Sequence, residues 1–356
     1  PRFKSAPEVL SCLTVVEVTC PLLIEVKVAK FNKSSPLNRE PRVSPMHPKK
    51  LLALVLLAFI VSSRVGFAQF TGFRFLATGD VPYSDAARVT YGRLLSQAAK
   101  EDFAFLMHVG DTKSQSAPCT DEETRKIRDL FREHPTPVVY TFGDNEWTDC
   151  LGVGADPLER LAKLREVFFK DEEILRLNRL NTEHQSEDPD FATYVENYRF
   201  IKSNVMLVVV HVCGSGNGRR VDHPPSMQEF RQRNKANQAF LDESFALATA
   251  KDVAGVLIVI HANPDFEHNA QEGFQDFIGT VRRCLDRYEK PVVCIHGDSH
   301  YFRIDKPLQN SETGRRYLHF TRMEVFGAPD VAGVVVTVDP VRPNVFSFEP
   351  YYLNDE

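Results

Sequence analysis

The chain has 356 residues, of which 43% are hydrophobic and 26% are charged, and its formal net charge is −5 at pH 7. This composition is typical of a globular protein and excludes a disordered or fibrous chain. The net negative charge also argues against a surface that attracts nucleic acid, so we expect no nucleic-acid partner.

The segment 46–68 has the pattern of a signal peptide. Lys49 and Lys50 precede the apolar run 51–61, and small residues stand just before Gln69. Eleven apolar residues are too few to cross a bilayer core of about 30 Å, so we expect cleavage before Gln69 rather than a stable membrane anchor. The sequence therefore predicts an exported protein, either periplasmic or secreted.

The rest of the chain divides at this segment. Residues 1–45 precede Met46 and are interpreted as an upstream extension outside the native protein, although a strand-like pattern at 10–28 leaves a structured extension open. Over 69–356 the hydrophobic runs are evenly spaced, without a linker rich in Pro, Gly or Ser. We therefore predict one domain over 69–356.

Within this domain, short apolar runs alternate with longer amphipathic stretches, which predicts β-α units and a largely parallel sheet covered by helices. The predicted strands are 73–78, 103–109, 136–142, 205–212, 253–260 and 291–295, and the predicted helices are 85–100, 121–133, 157–169, 226–250 and 272–288. Three late runs at 317–326, 331–338 and 345–348 have no helices between them, so they are expected to pair antiparallel. The polar stretch 171–191 is predicted to be a surface insertion.

Polar clusters follow the predicted strands directly. Five strands end in Gly79-Asp80, Gly110-Asp111, Gly143-Asp144-Asn145-Glu146, His261-Ala262-Asn263 and His296-Gly297-Asp298-Ser299-His300, and a sixth ends in His211. One Gly-Asp pair after a strand is usually only a turn or a helix cap. Because the carboxyl ends of parallel strands share one edge of a sheet, however, these clusters are expected to meet there.

Several carboxylates and histidines at one edge would repel one another unless cations neutralise them. Mixed carboxylate, imidazole and amide ligands indicate Mn, Fe or Zn rather than a thiolate zinc site or an all-oxygen calcium site. Two divalent or trivalent ions bridged by one carboxylate can bind a phosphoryl group and acidify a water molecule. The pattern therefore predicts phosphoester hydrolysis.

The order of the clusters resembles that of the calcineurin-like metallophosphoesterase superfamily, whose blocks read D-x-H, G-D-x-x-[DY], G-N-H-[DE], a lone H, and G-H-x-H. The resemblance covers residues 73–326, and the GDNE and HGDSH blocks are similar to those of a divergent bacterial branch. It implies an α/β fold, a four-layer α/β/β/α sandwich with mixed sheets. It also implies that water activated between two metal ions hydrolyses a small-molecule phosphomonoester or phosphodiester.

Carried over by position, the resemblance implies six metal ligands. The first metal would be held by Asp80 and His300 and the second by Asp144, His261 and Asp298, with Asp111 as the bridging carboxylate. An alignment shifted by one residue would instead make Asn145 the ligand, and both alignments remain open.

The chain departs from the family pattern at Pro82, Ser114 and Asn145. Pro82 replaces a histidine ligand, and Asn145 stands where a histidine that assists the leaving group is expected. We therefore consider Asn145, His211 and His296 as catalytic candidates, each histidine being a substitute proton donor or, alternatively, a hydrogen-bonded core residue. The departures also leave open a catalytically impaired binding protein on the same fold.

Further features stand in the loops. Cys119 and Cys150 lie in polar loops, and because exported proteins retain disulfides we predict a bond between them. The segment 214–220 is either a cradle for a substrate phosphate or a plain flexible loop. Lys113 offsets charge or touches substrate, and Trp147 is a pocket wall or a packing anchor.

Overall fold

In a computed structural model of the chain, residues 71–268 and 271–354 are described, and they fall within one compact unit. The predicted extension 1–45 and signal peptide 46–68 lie outside the described residues. No helix in the described ranges has both the length and the apolar character needed to span a membrane.

The described residues contain two mixed β-sheets. The strands are β1 (Phe73–Thr78), β2 (Leu106–His108), β3 (Val138–Tyr140), β4 (Glu183–His184), β5 (Tyr198–Lys202), β6 (Val205–Val209), β7 (Gly255–Val259), β8 (Val292–His296), β9 (Arg303–Asp305), β10 (Phe320–Glu324), β11 (Gly333–Val338) and β12 (Phe346–Tyr351). The first sheet has the order β12-β11-β1-β2-β3, and the second has the order β4-β5-β6-β7-β8-β10-β9. Strands β1 to β3 are mutually parallel, as are β6, β7, β8 and β10.

Helices connect most of the parallel strands. They are α1 (Asp85–Ala98), α2 (Asp121–Glu133), α3 (Pro157–Phe169), α4 (Glu172–Leu175), α5 (Pro224–Ala250) and α6 (Gln275–Leu285). A distorted helical turn covers Gly214–Asn217, and 3-10 turns cover Thr148–Val153, Leu177–Leu180, Gln185–Glu187, Pro189–Phe191 and Glu272–Phe274.

Side-chain caps fix where the first three helices begin. Ser84 accepts a hydrogen bond from the Ala87 amide, and Thr120 accepts one from the Glu123 amide. Asp156 caps α3, which begins at a proline whose missing N–H would be unpaired there anyway. Each cap contributes about 1 kcal/mol and makes the strand-to-helix connection definite.

The two sheets pack face to face. Alternate residues of β6 show this, since Val205, Leu207 and Val209 belong to the core between the sheets while Met206 and Val208 face the core under α5 and α6. The rings of Phe105 and Phe200 meet edge to face across the sheets, with centroids 5.7 Å apart. Helices α1 to α3 cover the outer face of the first sheet, which confirms the predicted four-layer α/β/β/α sandwich with mixed sheets.

Two expectations about local structure were wrong. The run 317–326 was expected to pair antiparallel, but β10 pairs parallel with β8 and antiparallel only with β9. The chain reaches β9 at the sheet edge and then turns back between β9 and β8, so no helix is needed. The stretch 171–191 is not merely a surface insertion, because its apolar residues Ile174, Leu175 and Leu177 are buried in the core.

Candidate metal centre

Residues from both sheets converge at the carboxyl ends of the parallel strands. Asp80, Asp111 and Asp144 follow β1, β2 and β3, whereas His261 and Asp298 follow β7 and β8. Two overlapping groups of donor atoms form there, one from Asp80, Asp111 and His261 and the other from Asp144, His261 and Asp298, each with its atoms within 4.8 Å of one another. The residues that the strand-end pattern brought together thus lie together in the fold.

His261 lies at the centre of these groups and is fully buried. Its Nδ1 lies 2.9 Å from the Val109 carbonyl oxygen, which can only accept, so Nδ1 is the donor. Its Nε2 faces three carboxylates, at 3.0 Å from Asp144 Oδ1, 3.5 Å from Asp111 Oδ1 and 3.8 Å from Asp298 Oδ1. Atoms that share one ion with bonds of about 2.1 Å are separated by about 3 to 4 Å, so this spacing fits a common cation.

His300 is held in the same way at the other side of the cluster. Its Nδ1 donates to the Ala328 carbonyl oxygen at 2.7 Å, and its Nε2 lies 3.7 Å from Asp80 Oδ1. A histidine that binds a metal usually donates its other ring N–H to a carbonyl or carboxylate, which fixes the tautomer. Both His261 and His300 show this arrangement.

The cluster carries more negative charge than its own cations neutralise. Burial raises the pKa of Asp80 to about 8, although the charge of His261 acts in the opposite direction. Burial likewise raises the pKa of Asp111 well above its usual range. Burial opposes the charged form of Asp144, but the hydrogen bond and charge of His261 outweigh it and lower its pKa.

The same carboxylates stabilise the charged form of His261. Burial disfavours its charged form, but the Asp111 carboxylate and the hydrogen bond to Asp144 outweigh burial and raise its pKa well above the usual range. A single imidazolium proton therefore faces the carboxylates. A metal ion at Nε2 would replace that proton with a larger charge.

Two glycines leave room at the donor atoms. A Cβ added to Gly214 would lie 2.5 Å from Asp144 Oδ1 and 2.5 Å from Asp298 Oδ1, and one added to Gly297 would collide with Asp80 Oδ2. These close approaches make a cradle that a larger residue would fill. With its carboxylate and imidazole donors, the cradle fits a metal ion of the Mn, Fe or Zn kind.

Several proposed ligands occupy unusual backbone conformations. Asp80, Asp111, Asp298 and His300 all have a positive φ, between 54° and 81°. Such conformations cost a non-glycine residue of the order of 1 kcal/mol each and cluster at functional sites. The unfavourable backbone conformations direct these side chains towards the cluster.

Asn145 lies beside the donor atoms rather than among them. Its Nδ2 donates to Asp111 Oδ2 at 2.6 Å and to the Lys113 carbonyl oxygen at 3.1 Å, while its backbone N–H donates to Asp111 Oδ1 at 3.0 Å. Asp144 instead presents Oδ1 to His261. This geometry favours the alignment in which Asp144 is the ligand, and it gives Asn145 the task of orienting Asp111.

The two histidines considered as proton donors do not lie at the cluster. His211 is fully buried between the rings of Phe142 and Trp147, and its Nδ1 pairs with Glu196 Oε1 at 3.1 Å. His296 is also fully buried, with its Nδ1 donating to the Gly297 carbonyl oxygen.

Burial lowers the pKa of His211 to about 4 and that of His296 to about 3, so both are neutral at pH 7. Neither side chain reaches solvent, so the proposed catalytic role does not fit either position. Both match the alternative of hydrogen-bonded core residues.

Three further residues around the cluster carry no family motif. The Tyr83 hydroxyl lies 2.9 Å from Asp111 Oδ2 and 3.1 Å from His300 Nε2. The Ser215 hydroxyl lies 2.7 Å from both Asp144 Oδ2 and Asp149 Oδ1. In the sequence, nearness in the chain relates only Tyr83 to Asp80 and Asp149 to Asp144, and no such signal marks Ser215.

A partly buried ion pair supports the turn that carries Asp298 and His300. The Glu324 carboxylate accepts hydrogen bonds from the Ser299 backbone N–H at 3.1 Å and from Arg303 Nε at 2.7 Å. Glu324 is fully buried at the end of β10. It therefore fixes the turn from beneath, as partners outside the ligand set commonly do in metal sites.

The structure also places the cysteines, the lysine and the tryptophan of the loops. The predicted Cys119–Cys150 disulfide is present. Lys113 Nζ donates to the Ser114 and Ala117 carbonyl oxygens, so it does not pair with Asp111. Trp147 is fully buried under the Arg233 guanidinium and is a packing anchor.

The segment 214–220 does not have the character of a phosphate cradle. Arg219 pairs with Glu272, and Arg220 lies 3.5 Å from Asp149, so both basic side chains are already matched by acids. The segment is not a plain flexible loop either, since Gly214 and Ser215 form one wall of the cluster.

A two-sheet sandwich with carboxylates and histidines at its strand ends is the architecture of the calcineurin-like metallophosphoesterases. The solved structures that this chain resembles have that fold. One is a dimetal phosphatase from Danio rerio, 14% identical, with a TM-score of 0.51 and coverage of 79% of this chain and 99% of that one. Another is PhoD, 12% identical, with a TM-score of 0.50 and coverage of 77% of this chain and 65% of that one.

At this identity the likeness concerns the fold, and at that level it confirms the resemblance that the motifs indicated. No protein-family model matches the chain. No curated protein matches it either.

Proposed function

We propose that this protein is a metal-dependent phosphoesterase that hydrolyses a small-molecule phosphomonoester or phosphodiester. One observation carries the proposal. Four carboxylates lie around the buried His261, in two donor groups that share its imidazole, at the strand ends of a metallophosphatase-like sandwich. Bound cations would neutralise this concentration of carboxylates, and a pair of them suits phosphoryl chemistry.

In this proposal each side of the cluster holds one ion. Asp80 and His300 would hold the first, Asp144, His261 and Asp298 the second, and Asp111 would bridge them. When bound, such ions polarise a phosphoryl oxygen and acidify a water molecule. The other tasks belong to the protein, since Asn145 orients Asp111 and Ser215 orients Asp144.

The exposure of the proposed ligands suggests where a substrate would enter. The side chain of Asp80 is fully buried, whereas those of His300 and Asp298 are 30% and 27% exposed. The phosphoryl group would therefore approach from the side of the turn that carries Asp298 and His300. Tyr83 is partly exposed on the same side.

We further propose that the protein is exported. The Cys119–Cys150 disulfide supports this, because disulfides persist mainly in oxidising compartments. The predicted signal peptide at 46–68 points the same way.

Metal analysis of the purified full-length chain, beside hydrolysis of p-nitrophenyl phosphate and bis-p-nitrophenyl phosphate with added Mn²⁺, tests the proposal. We expect about two ions per chain and turnover of at least one ester. Asp111→Asn should lower kcat/KM by about 100-fold or more, since even partners outside the ligand set contribute 10- to 100-fold. Asp129→Asn, a half-exposed surface carboxylate, is the matched control.

The outcomes separate the alternatives. Preference for one ester ranks monoester against diester hydrolysis. About one ion per chain with no turnover of either ester would refute the proposal in favour of a binding protein on this fold. Metal-free protein that stays inactive with every added ion would refute the metal site itself.

A further inference from the structure

The Tyr83 hydroxyl lies at the open side of the metal centre, among atoms that bind or orient the proposed ions. It is 2.9 Å from Asp111 Oδ2, 3.1 Å from His300 Nε2 and 3.1 Å from Asn145 Nδ2. Its ring packs edge to face against His300, with centroids 5.2 Å apart. The hydroxyl is therefore fixed in position by its neighbours.

A cation bound at the centre would compete with the Tyr83 hydroxyl for the lone pairs of its acceptors. A carboxylate oxygen has two lone pairs, and Asp111 Oδ2 already accepts from Asn145 Nδ2 at 2.6 Å. Its remaining lone pair serves either Tyr83 or a cation. His300 Nε2 has a single lone pair because Nδ1 carries the proton that is donated to Ala328. Metal binding at His300 Nε2 thus removes one acceptor of the phenolic O–H, and a cation at Asp111 Oδ2 would remove the other.

Two other polar side chains near this hydroxyl are already engaged in hydrogen bonds. Asn145 has two N–H groups, and Asp111 and the Lys113 carbonyl oxygen engage both. Lys113 is itself bonded to two carbonyl oxygens. The two buried histidines at the ends of β6 and β8 lie outside the cluster. Tyr83, by contrast, combines a rotatable O–H donor with partial exposure beside His300.

We propose that Tyr83 is a further catalytic residue, whose hydroxyl donates a hydrogen bond to a non-bridging oxygen of the substrate phosphoryl group. This inference rests on the proposed function, and it supplies the donor that Asn145, standing in place of a histidine, does not provide. The phenol stays intact throughout, since it donates a hydrogen bond and transfers no proton.

Binding of inorganic phosphate tests the proposal without turnover. The full-length chain is loaded with Mn²⁺, its metal content is measured, and phosphate is titrated by calorimetry into wild type, Tyr83→Phe and Tyr301→Phe. Tyr301 follows His300 directly but is 66% exposed, so it controls for loss of a phenolic hydroxyl nearby. A hydrogen bond to a charged acceptor predicts about 10- to 100-fold weaker phosphate binding by Tyr83→Phe, with metal content unchanged.

Three results would overturn the inference. Equal phosphate affinity of Tyr83→Phe and wild type would show that the hydroxyl does not reach the phosphoryl group. Loss of metal from Tyr83→Phe would make the hydroxyl a ligand instead. If metal-loaded wild type did not bind phosphate, Tyr83 would have no phosphoryl oxygen to which it could donate. Wild type that binds metal and phosphate but hydrolyses neither ester refutes only the proposed function.

Discussion

Replacing Gly214 by alanine places a methyl group between two of the proposed ligands. The added Cβ would lie 2.5 Å from Asp144 Oδ1 and from Asp298 Oδ1, whereas ordinary contacts of a Cβ begin near 3.4 Å. Each carboxylate must therefore withdraw by roughly half an ångström or more, and metal–ligand distances tolerate only about 0.2 Å. We expect Gly214→Ala to disrupt the ion shared by Asp144 and Asp298.

The magnitude follows from the loss of two well-placed ligands. Partners that merely orient ligands contribute 10- to 100-fold to metal affinity, so we expect at least about 100-fold weaker Mn²⁺ binding at this position, or about 2.7 kcal/mol. The metal-free fold should lose less, about 1 to 3 kcal/mol, as is usual when one methyl group overfills a packed region. Gly214→Ala should therefore lose much more Mn²⁺ affinity than the loss of stability alone would explain.

Calorimetric titration of Mn²⁺ and urea unfolding of the metal-free protein measure both quantities. Gly152→Ala is the matched control, because a Cβ there meets nothing within 4 Å. Wild-type metal content and affinity in Gly214→Ala would refute the reasoning, because Asp144 and Asp298 could not then be ligands in this geometry. Equal losses in both variants would point to a general effect of added methyl groups.

Two further predictions concern groups around the centre. The folded-state pKa of His211 is about 4 because of burial, below its ordinary value of 6.5, so its neutral form stabilises the fold above pH 6.5 and this contribution is lost as pH falls towards 4. The difference in unfolding free energy between wild type and His211→Gln, followed by Trp147 fluorescence, should shrink by about 3 kcal/mol over that range, and a pH-independent difference would contradict this. Ser215→Ala should weaken Mn²⁺ binding by about 10- to 100-fold, because the hydroxyl that orients Asp144 is lost, and unchanged affinity in calorimetry would exclude that role.

The convergence of the proposed acidic ligands could be predicted because the signal is topological. Asp80, Asp111 and Asp144 follow the ends of their strands by two, three and four residues, and parallel strands bring their carboxyl ends together. His261 and Asp298 follow from the same rule on the second sheet. The position of each residue after its strand and the shared edge of parallel strands were enough to predict that these residues converge.

The same rule fails for His211 and His296, because a strand end fixes the edge but not the face. Side chains alternate along a strand, and Val293 and Ile295 of β8 face the core between the sheets. His296 is one residue further and so points to the opposite side, where it meets Phe266 in the core under the helices. His211 shares the facing of Val209 but is captured by Glu196 on the neighbouring segment.

Tyr83 and Ser215 could not be predicted, since loops rather than strands place them. Each lies in a turn whose course depends on contacts with distant parts of the chain, such as the approach of the Gly214 turn to Asp144 and Asp298. A positive φ at Ser215 is equally invisible in the residue type. Periodicity carries no information about such positions.

The strained aspartates and the buried strands before them act together. Asp80, Asp111 and Asp298 adopt a positive φ, and an unfavourable conformation persists only where the surrounding structure over-determines it. The strands that lead into them supply that constraint, because Leu76 and Ile295 are fully buried. The rigid strands thus hold the strained backbone and the mutually repelling carboxylates in place. A cation that neutralises the carboxylates would remove the unfavourable energy of their repulsion. On this reasoning the sandwich is a scaffold that would hold the proposed ligands in place before a metal ion binds.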